Sequence, residues 1–107
     1  MVKLIVMYGP QSDAAKFDDY YLSTHIPIVE KTPGLRGVEV GKCSSLDGST
    51  PPYYVHTELY FDDVEAMMTA FGTPEGQAMA ADVANFVSGD VTMLVAEVLK
   101  ERSLRPV

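Results

Sequence analysis

The chain divides into apolar runs whose internal period alternates between two and three-to-four residues, separated by turn-forming residues. Val2 to Tyr8 is rich in branched apolar residues and stops at Gly9-Pro10, which predicts a buried strand. Ser12 or Asp13 can cap a following helix, along which Ala14, Phe17, Tyr21 and His25 fall three or four residues apart on one face. Pro27 has no backbone N–H and disfavours helical geometry at Ile26, so that helix is expected to end or kink there. A second short turn through Val29 to Thr32 follows, and Pro33-Gly34 then turns the chain into a strand from Leu35 to Ser44.

The segment "SLDGSTPP" carries an Asp-Gly turn signal and two prolines, and reads as a loop between two strands. Tyr53 to Phe61 alternates: Tyr53, Val55, Thr57, Leu59 and Phe61 share one side, and Tyr54, His56, Glu58 and Tyr60 the other. Asp62 or Asp63 caps a helix through Val64, Met67, Met68 and Phe71. Thr73-Pro74 restarts it, with Met79, Val83 and Phe86 continuing an inward face. After Ser88-Gly89-Asp90 the last strand, Val91 to Leu99, is strongly branched and apolar. The order β-α-β-β-α-β predicts an α+β, ferredoxin-like protomer with a four-stranded antiparallel sheet and both helices on one of its faces. The other face is then uncovered. A large exposed apolar patch is rare on a soluble monomer, so a homodimer joined sheet to sheet is expected.

Composition narrows the partners. At 107 residues the chain suits one domain, 1–107, and 47% hydrophobic content suits a globular one, with disorder expected only from Ser103 to Val107. A formal net charge of −7 with eight scattered basic residues argues against nucleic acid and against anionic membrane surfaces. The start "MVKLIVMYGP" is broken by Lys3 and bounded by Gly-Pro, unlike a secretion signal, and no run approaches the roughly 18 apolar residues that a membrane helix needs. One cysteine, Cys43, excludes an internal disulfide and a cysteine-based metal cluster. It points to the cytoplasm and reads as a structural buried thiol.

Chemistry concentrates in two places. His25 ends the aromatic helix, where its ring can either satisfy free terminal carbonyls or move protons, since an imidazole titrates near neutrality. Tyr21 lies one turn earlier. On the third strand, Tyr54, His56, Glu58 and Tyr60 are expected to face away from the helices, lining a polar pocket that the dimer encloses or forming cross-strand and dimer contacts. Two histidines in distant segments give no recognisable metal ligand set, so neither a metal nor a cofactor is expected. There is no Gly-rich phosphate loop and no Gly-x-Ser-x-Gly elbow, and "GTPEGQ" reads as a helix entry.

Two long segments carry a resemblance. "FDDYYLSTHIPIVEKTPGLRG" is similar to the Tyr-x(3–4)-His-x-Pro and Pro-Gly signature of the EthD-like family, named for a component of ethyl tert-butyl ether degradation. "ELYFDDVEAMMTAFGTPEGQAMAADVANF" resembles that family's second half, and the final strand follows in place. The resemblance implies a dimeric α/β barrel, each protomer enclosing a pocket between sheet and helices or within the barrel. It also implies that His25, the histidine of His-x-Pro, lies at the cavity entrance as a candidate acid/base, with Tyr21 beside it. Reactions among such proteins vary, and fold does not fix function. Three readings follow. The first is a cofactor-independent enzyme acting on a small carbonyl, lactone or aromatic compound, with His25 as proton shuttle. The second is an oxidoreductase, monooxygenase-like or supporting a monooxygenase system. The third is a non-catalytic protein that binds a small metabolite.

Overall fold

The computed structural model describes residues 1–102, so the expectation of disorder from Ser103 to Val107 lies outside the described residues. Its elements run β1 (Val2–Tyr8), α1 (Ala14–Tyr20), a π-helical turn (Tyr21–His25), α2 (Ile26–Val29), β2 (Gly37–Lys42), β3 (Val55–Phe61), α3 (Val64–Phe71), α4 (Pro74–Asp82), a 3₁₀ turn (Val83–Asn85) and β4 (Val91–Glu97). The strands form one antiparallel sheet in the order β2-β3-β1-β4, the α+β, ferredoxin-like arrangement that the element order predicts. No helix among the described residues is long and apolar enough to cross a membrane.

Local chemistry sets the helix starts. Asp13, Asp63 and Thr73 occupy extended cap positions, and each side chain accepts a hydrogen bond from a backbone N–H of the first turn. Pro74 stands at the first helical position, where its missing N–H costs nothing. Gly34 closes the Pro33-Gly34 turn at φ +80°, a conformation that favours glycine. Gly76 has a packing reason: a Cβ there would come within 2.1 Å of the Ala70 carbonyl oxygen, so α4 can lie this close to the end of α3 only without a side chain.

The helices cover one side of the sheet. Val2, Leu4, Val6 and Tyr8 of β1 and Val55, Thr57, Leu59 and Phe61 of β3 are buried there, against Phe17, Tyr21, Val29, Met67, Ala70 and Met79. Each large apolar side chain so buried contributes about 1.5–3 kcal/mol. The opposite face carries Lys3, Ile5 and Met7 of β1 beside His56, Glu58 and Tyr60 of β3, with no helix above them among the described residues. Edge strand β4 is less covered than its apolar sequence suggests: Met93, Leu94 and Val95 are each about half exposed, two of them on the helix side.

The path through Pro27 corrects the expected helix end. The helix does not stop there. It widens to a π turn, in which the Ile26 N–H reaches back to the Tyr21 carbonyl, and continues through Val29. A proline ring clashes with the carbonyl four residues before it and offers it no N–H, and the wider turn accommodates both effects without breaking the rod. Cys43 is half-buried, less enclosed than expected of a structural thiol.

Candidate functional site

The π turn positions the site. By widening the helix between Tyr21 and His25 it turns both side chains inward, and their rings lie nearly parallel with centroids 5.2 Å apart. Phe86, arriving after α4, closes the other side of the imidazole at 4.6 Å. Tyr8, Phe17 and Tyr21 complete an aromatic cluster around it. His25 retains only 3% exposure.

A buried imidazole needs a partner, and Asp82 supplies it: His25 Nδ1 lies 2.9 Å from Asp82 Oδ2. Asp82 is the last residue of α4, at the negative end of the helix dipole, an unfavourable place for a carboxylate. Two further donors offset that cost. The Tyr20 hydroxyl donates to Oδ1 at 2.7 Å and Asn85 Nδ2 donates to the same oxygen at 3.0 Å. Burial pushes the Asp82 carboxyl up, but the bonds from Asn85, Tyr20 and His25 outweigh it and hold its pKa below the usual carboxylate value. An ionised Asp82 only accepts, so Nδ1 of His25 carries the hydrogen and Nε2 carries the lone pair.

That lone pair faces open space. Nε2 has no bonding partner among the described residues, and no fully buried side-chain nitrogen or oxygen there lacks one, so Nε2 is reached from the cavity that His25 lines. The cavity measures about 280 Å³ and lies between the sheet and the helices, with Leu4, Val6, Val29, Leu59 and Met79 among its walls. Gln77, Ala80 and Met93 are exposed where it opens between α4 and β4. Burial lowers the pKa of His25 and outweighs the upward pull of Asp82, which keeps the imidazole neutral at pH 7.

Three hydroxyls form a row beside it. Tyr21 Oη and Thr57 Oγ1 are hydrogen-bonded, and the Tyr8 ring packs edge-on against that of Tyr21 with centroids 5.2 Å apart. Burial raises the pKa of both tyrosines, so both stay protonated. Three hydroxyl hydrogens share at most two links in such a row. Since none of these hydroxyls bonds elsewhere among the described residues, at least one O–H remains to donate to an occupant of the cavity. The arrangement therefore offers a neutral base and a neutral donor to one apolar space.

The sequence-predicted residues separate into two groups. His25 and Tyr21 come together at the cavity. His56, Glu58 and Tyr60 lie on the far face of the sheet, as strand alternation requires, so the sheet itself stands between them and His25. Tyr54 departs from the alternation, because it precedes β3 and its backbone N–H bonds the Tyr8 carbonyl. Its ring packs on Phe17 and its hydroxyl donates to Asp18 on α1. On the far face Glu58 accepts from Lys3 through both oxygens and from Tyr60 through one. Glu39, His56 and Glu58 bring one ligand atom each within 4.8 Å of one another, a spacing that admits a metal ion, but the Lys3 ammonium already supplies the cation at Glu58.

Sequence reasoning passed over Asp82, Thr57 and Tyr8. A signal existed for the first two. Asp82 falls three residues after Met79 and four before Phe86, on an otherwise inward stripe, and Thr57 interrupts the apolar side Val55, Leu59 and Phe61. Tyr8 looked like an ordinary strand-end aromatic.

The EthD domain family model matches residues 9–90. The chain is 44% identical over 97 residues to an uncharacterized 11.0 kDa protein in the thcB–thcC intergenic region of Rhodococcus erythropolis, covering 91% of this chain and 94% of that one. Among solved structures it is similar to an ethyl tert-butyl ether degradation (EthD) family protein of Bacillus halodurans, with 37% identity and a TM-score of 0.85 over 91% of this chain and 97% of the other. An EthD-like protein of Ralstonia eutropha follows at 26% identity and 0.79, covering 97% and 96%. A dimeric ferredoxin-like protein of unknown function from Jannaschia shares the fold at 17% identity and 0.71, covering 91% and 98%. The chain belongs to the EthD family.

Proposed function

We propose that this protein is a cofactor-independent proton-transfer enzyme for a small, partly apolar carbonyl, lactone or aromatic compound, with His25 as the acid/base. The observation that carries this reading is the bond between His25 Nδ1 and Asp82, which fixes the tautomer and leaves the Nε2 lone pair facing an apolar cavity. His25 takes a proton from the carbon next to the substrate carbonyl. The electron pair of that C–H bond moves into the enolate, and the enolate oxygen accepts the spare O–H of the Tyr8, Tyr21 and Thr57 row. Asp82 stabilises the imidazolium formed in this step. Return of the proton to a different carbon of a conjugated enolate completes an isomerisation with no change of oxidation state, so the reaction asks for no redox partner.

The whole chain, 1–107, acts in this reading as one domain and as a homodimer in the cytoplasm. Support for the dimer comes from the helix-free sheet face, where Ile5 and Met7 lie beside the half-exposed Leu94, and from the dimeric state that the Jannaschia relative's description gives. The test uses acetophenone in D₂O, a ketone with exchangeable methyl hydrogens. Wild type accelerates their exchange, and His25→Asn, which keeps a donor for Asp82 but no base, loses about 10²- to 10⁴-fold of that acceleration. Equal exchange by both proteins contradicts the reading, and tight ligand binding without exchange would assign a metabolite carrier instead.

A further inference from the structure

We propose that the His25 cavity selects its occupant by charge: it takes uncharged molecules of about ten non-hydrogen atoms carrying one hydrogen-bond-accepting oxygen, and rejects carboxylates of the same size. This rests on the reading of that cavity as the site of proton transfer, and it specifies which substrates that site admits.

Size follows from volume. An apolar cavity of about 150 Å³ takes a benzene ring, and the space here is about 280 Å³. Charge follows from the lining. Among the described residues no lysine or arginine borders the cavity. Three of the protein's cations are committed elsewhere, Lys3 to Glu58, Arg36 to Asp62 and Lys42 to Asp18. An anion inside would therefore lose its water without gaining a counterion, and it would face the Asp82 carboxylate across a single imidazole ring. The hydroxyl donors beside His25 are neutral, and one spare O–H suits a carbonyl oxygen but leaves a carboxylate largely unsatisfied. A cationic molecule fares no better, since Asp82 does not reach the lining and the walls around Leu59 and Met79 are apolar. A neutral occupant's oxygen pairs with the hydroxyls of Tyr8, Tyr21 and Thr57, and its apolar body packs on side chains such as Leu59, Met79 and Val83.

Acetophenone, benzamide and benzoate are matched in size. The first is neutral and enolisable, the second neutral and not enolisable, the third an anion. Calorimetric titration of the wild-type protein at pH 7 is expected to give benzoate an affinity about 100-fold weaker than benzamide. Gln77→Arg places a cation at the exposed mouth of the cavity without touching the core, and it is expected to narrow that gap to about tenfold. Equal affinity for benzamide and benzoate in the wild type overturns the proposal, as does failure of all three to bind. The two ideas fail separately. Discrimination against benzoate without exchange of acetophenone hydrogens keeps charge selection and removes proton transfer, whereas His25-dependent exchange with indifferent binding does the reverse.

Discussion

The two faces of the sheet carry nearly the same residue types, a histidine, a carboxylate and tyrosines, and only one of them forms a candidate site. On the helix side His25, Tyr21 and Tyr8 border an apolar cavity, and Asp82 holds His25 from outside its lining. Their mutual bonds are arranged so that a lone pair and a hydroxyl hydrogen remain unspent. On the far side the groups satisfy one another. Lys3 bridges both oxygens of Glu58, and Tyr60 donates to one of them, which pushes its phenol up to about 12. His56 Nε2 stands 3.7 Å from the same carboxylate. A carboxylate neutralised by a lysine stabilises a surface, whereas a buried carboxylate held by neutral donors and bonded to an imidazole sets that imidazole's tautomer and basicity. Residue identity therefore says less about chemistry than what each polar atom still lacks after folding.

The most severe way to separate the two faces is to place a charge on each. Leu59→Asp puts an unpaired carboxylate where the side chain is 3% exposed, and it is expected to unfold the protein with a loss of more than about 4 kcal/mol in denaturant melts. His56→Gln, on the opposite face of the same strand, is expected to stay within about 0.5 kcal/mol. The reverse result would exchange the two faces and remove the cavity. Next in size is Asp82→Asn, whose single oxygen is claimed by the Tyr20 and Asn85 donors, so that its NH2 group faces His25 Nδ1 and no longer holds the hydrogen there. Proton exchange of a bound ketone is expected to fall about 100-fold while the ketone's affinity holds, because Asp82 positions His25 and does not touch the cavity. A loss of affinity with the rate intact would make Asp82 a mere packing residue. The smallest effect is the pH dependence of stability. His25 is less basic folded than unfolded, so the unfolded state binds the extra proton. Its contribution is complete above about 6.5 and declines as pH falls below that value. Asp82, also lowered by folding, adds a second decline below about 3.9. Melts of the His25→Asn variant should lack the first decline and keep the second, and a wild-type stability flat between pH 7 and 5 would contradict the direction given to His25.

Much of the fold was legible from period and punctuation. Val2 to Tyr8 matches β1 residue for residue, Asp63 and Thr73 cap the helices named for them, and the alternation along Tyr53 to Phe61 assigns the two sides of β3 correctly from Val55 onward. These features depend on neighbours in sequence. Three others depend on distant partners and were not legible. Tyr54 leaves the alternation because Asp18, 36 residues away, holds its hydroxyl. Pro27 does not end its helix because a π turn absorbs it. Asp82 meets His25 across 57 residues, a pairing that no local pattern reports. The cavity itself was open to either side of the sheet in the sequence, and the helix layer decided between them.

The central claim is that His25 presents a neutral Nε2 lone pair to the cavity because Asp82 holds the hydrogen on Nδ1. Long-range ¹H–¹⁵N NMR of the two histidines measures this without a known substrate. At pH 7 His25 is expected to show the neutral Nδ1–H pattern, to become charged only below about 6.5, and to shift at Nε2 when acetophenone is added while the His56 signals stay in place. A His25 already charged at pH 7, hydrogen found on Nε2, or a ligand response at His56 in its stead would contradict the account.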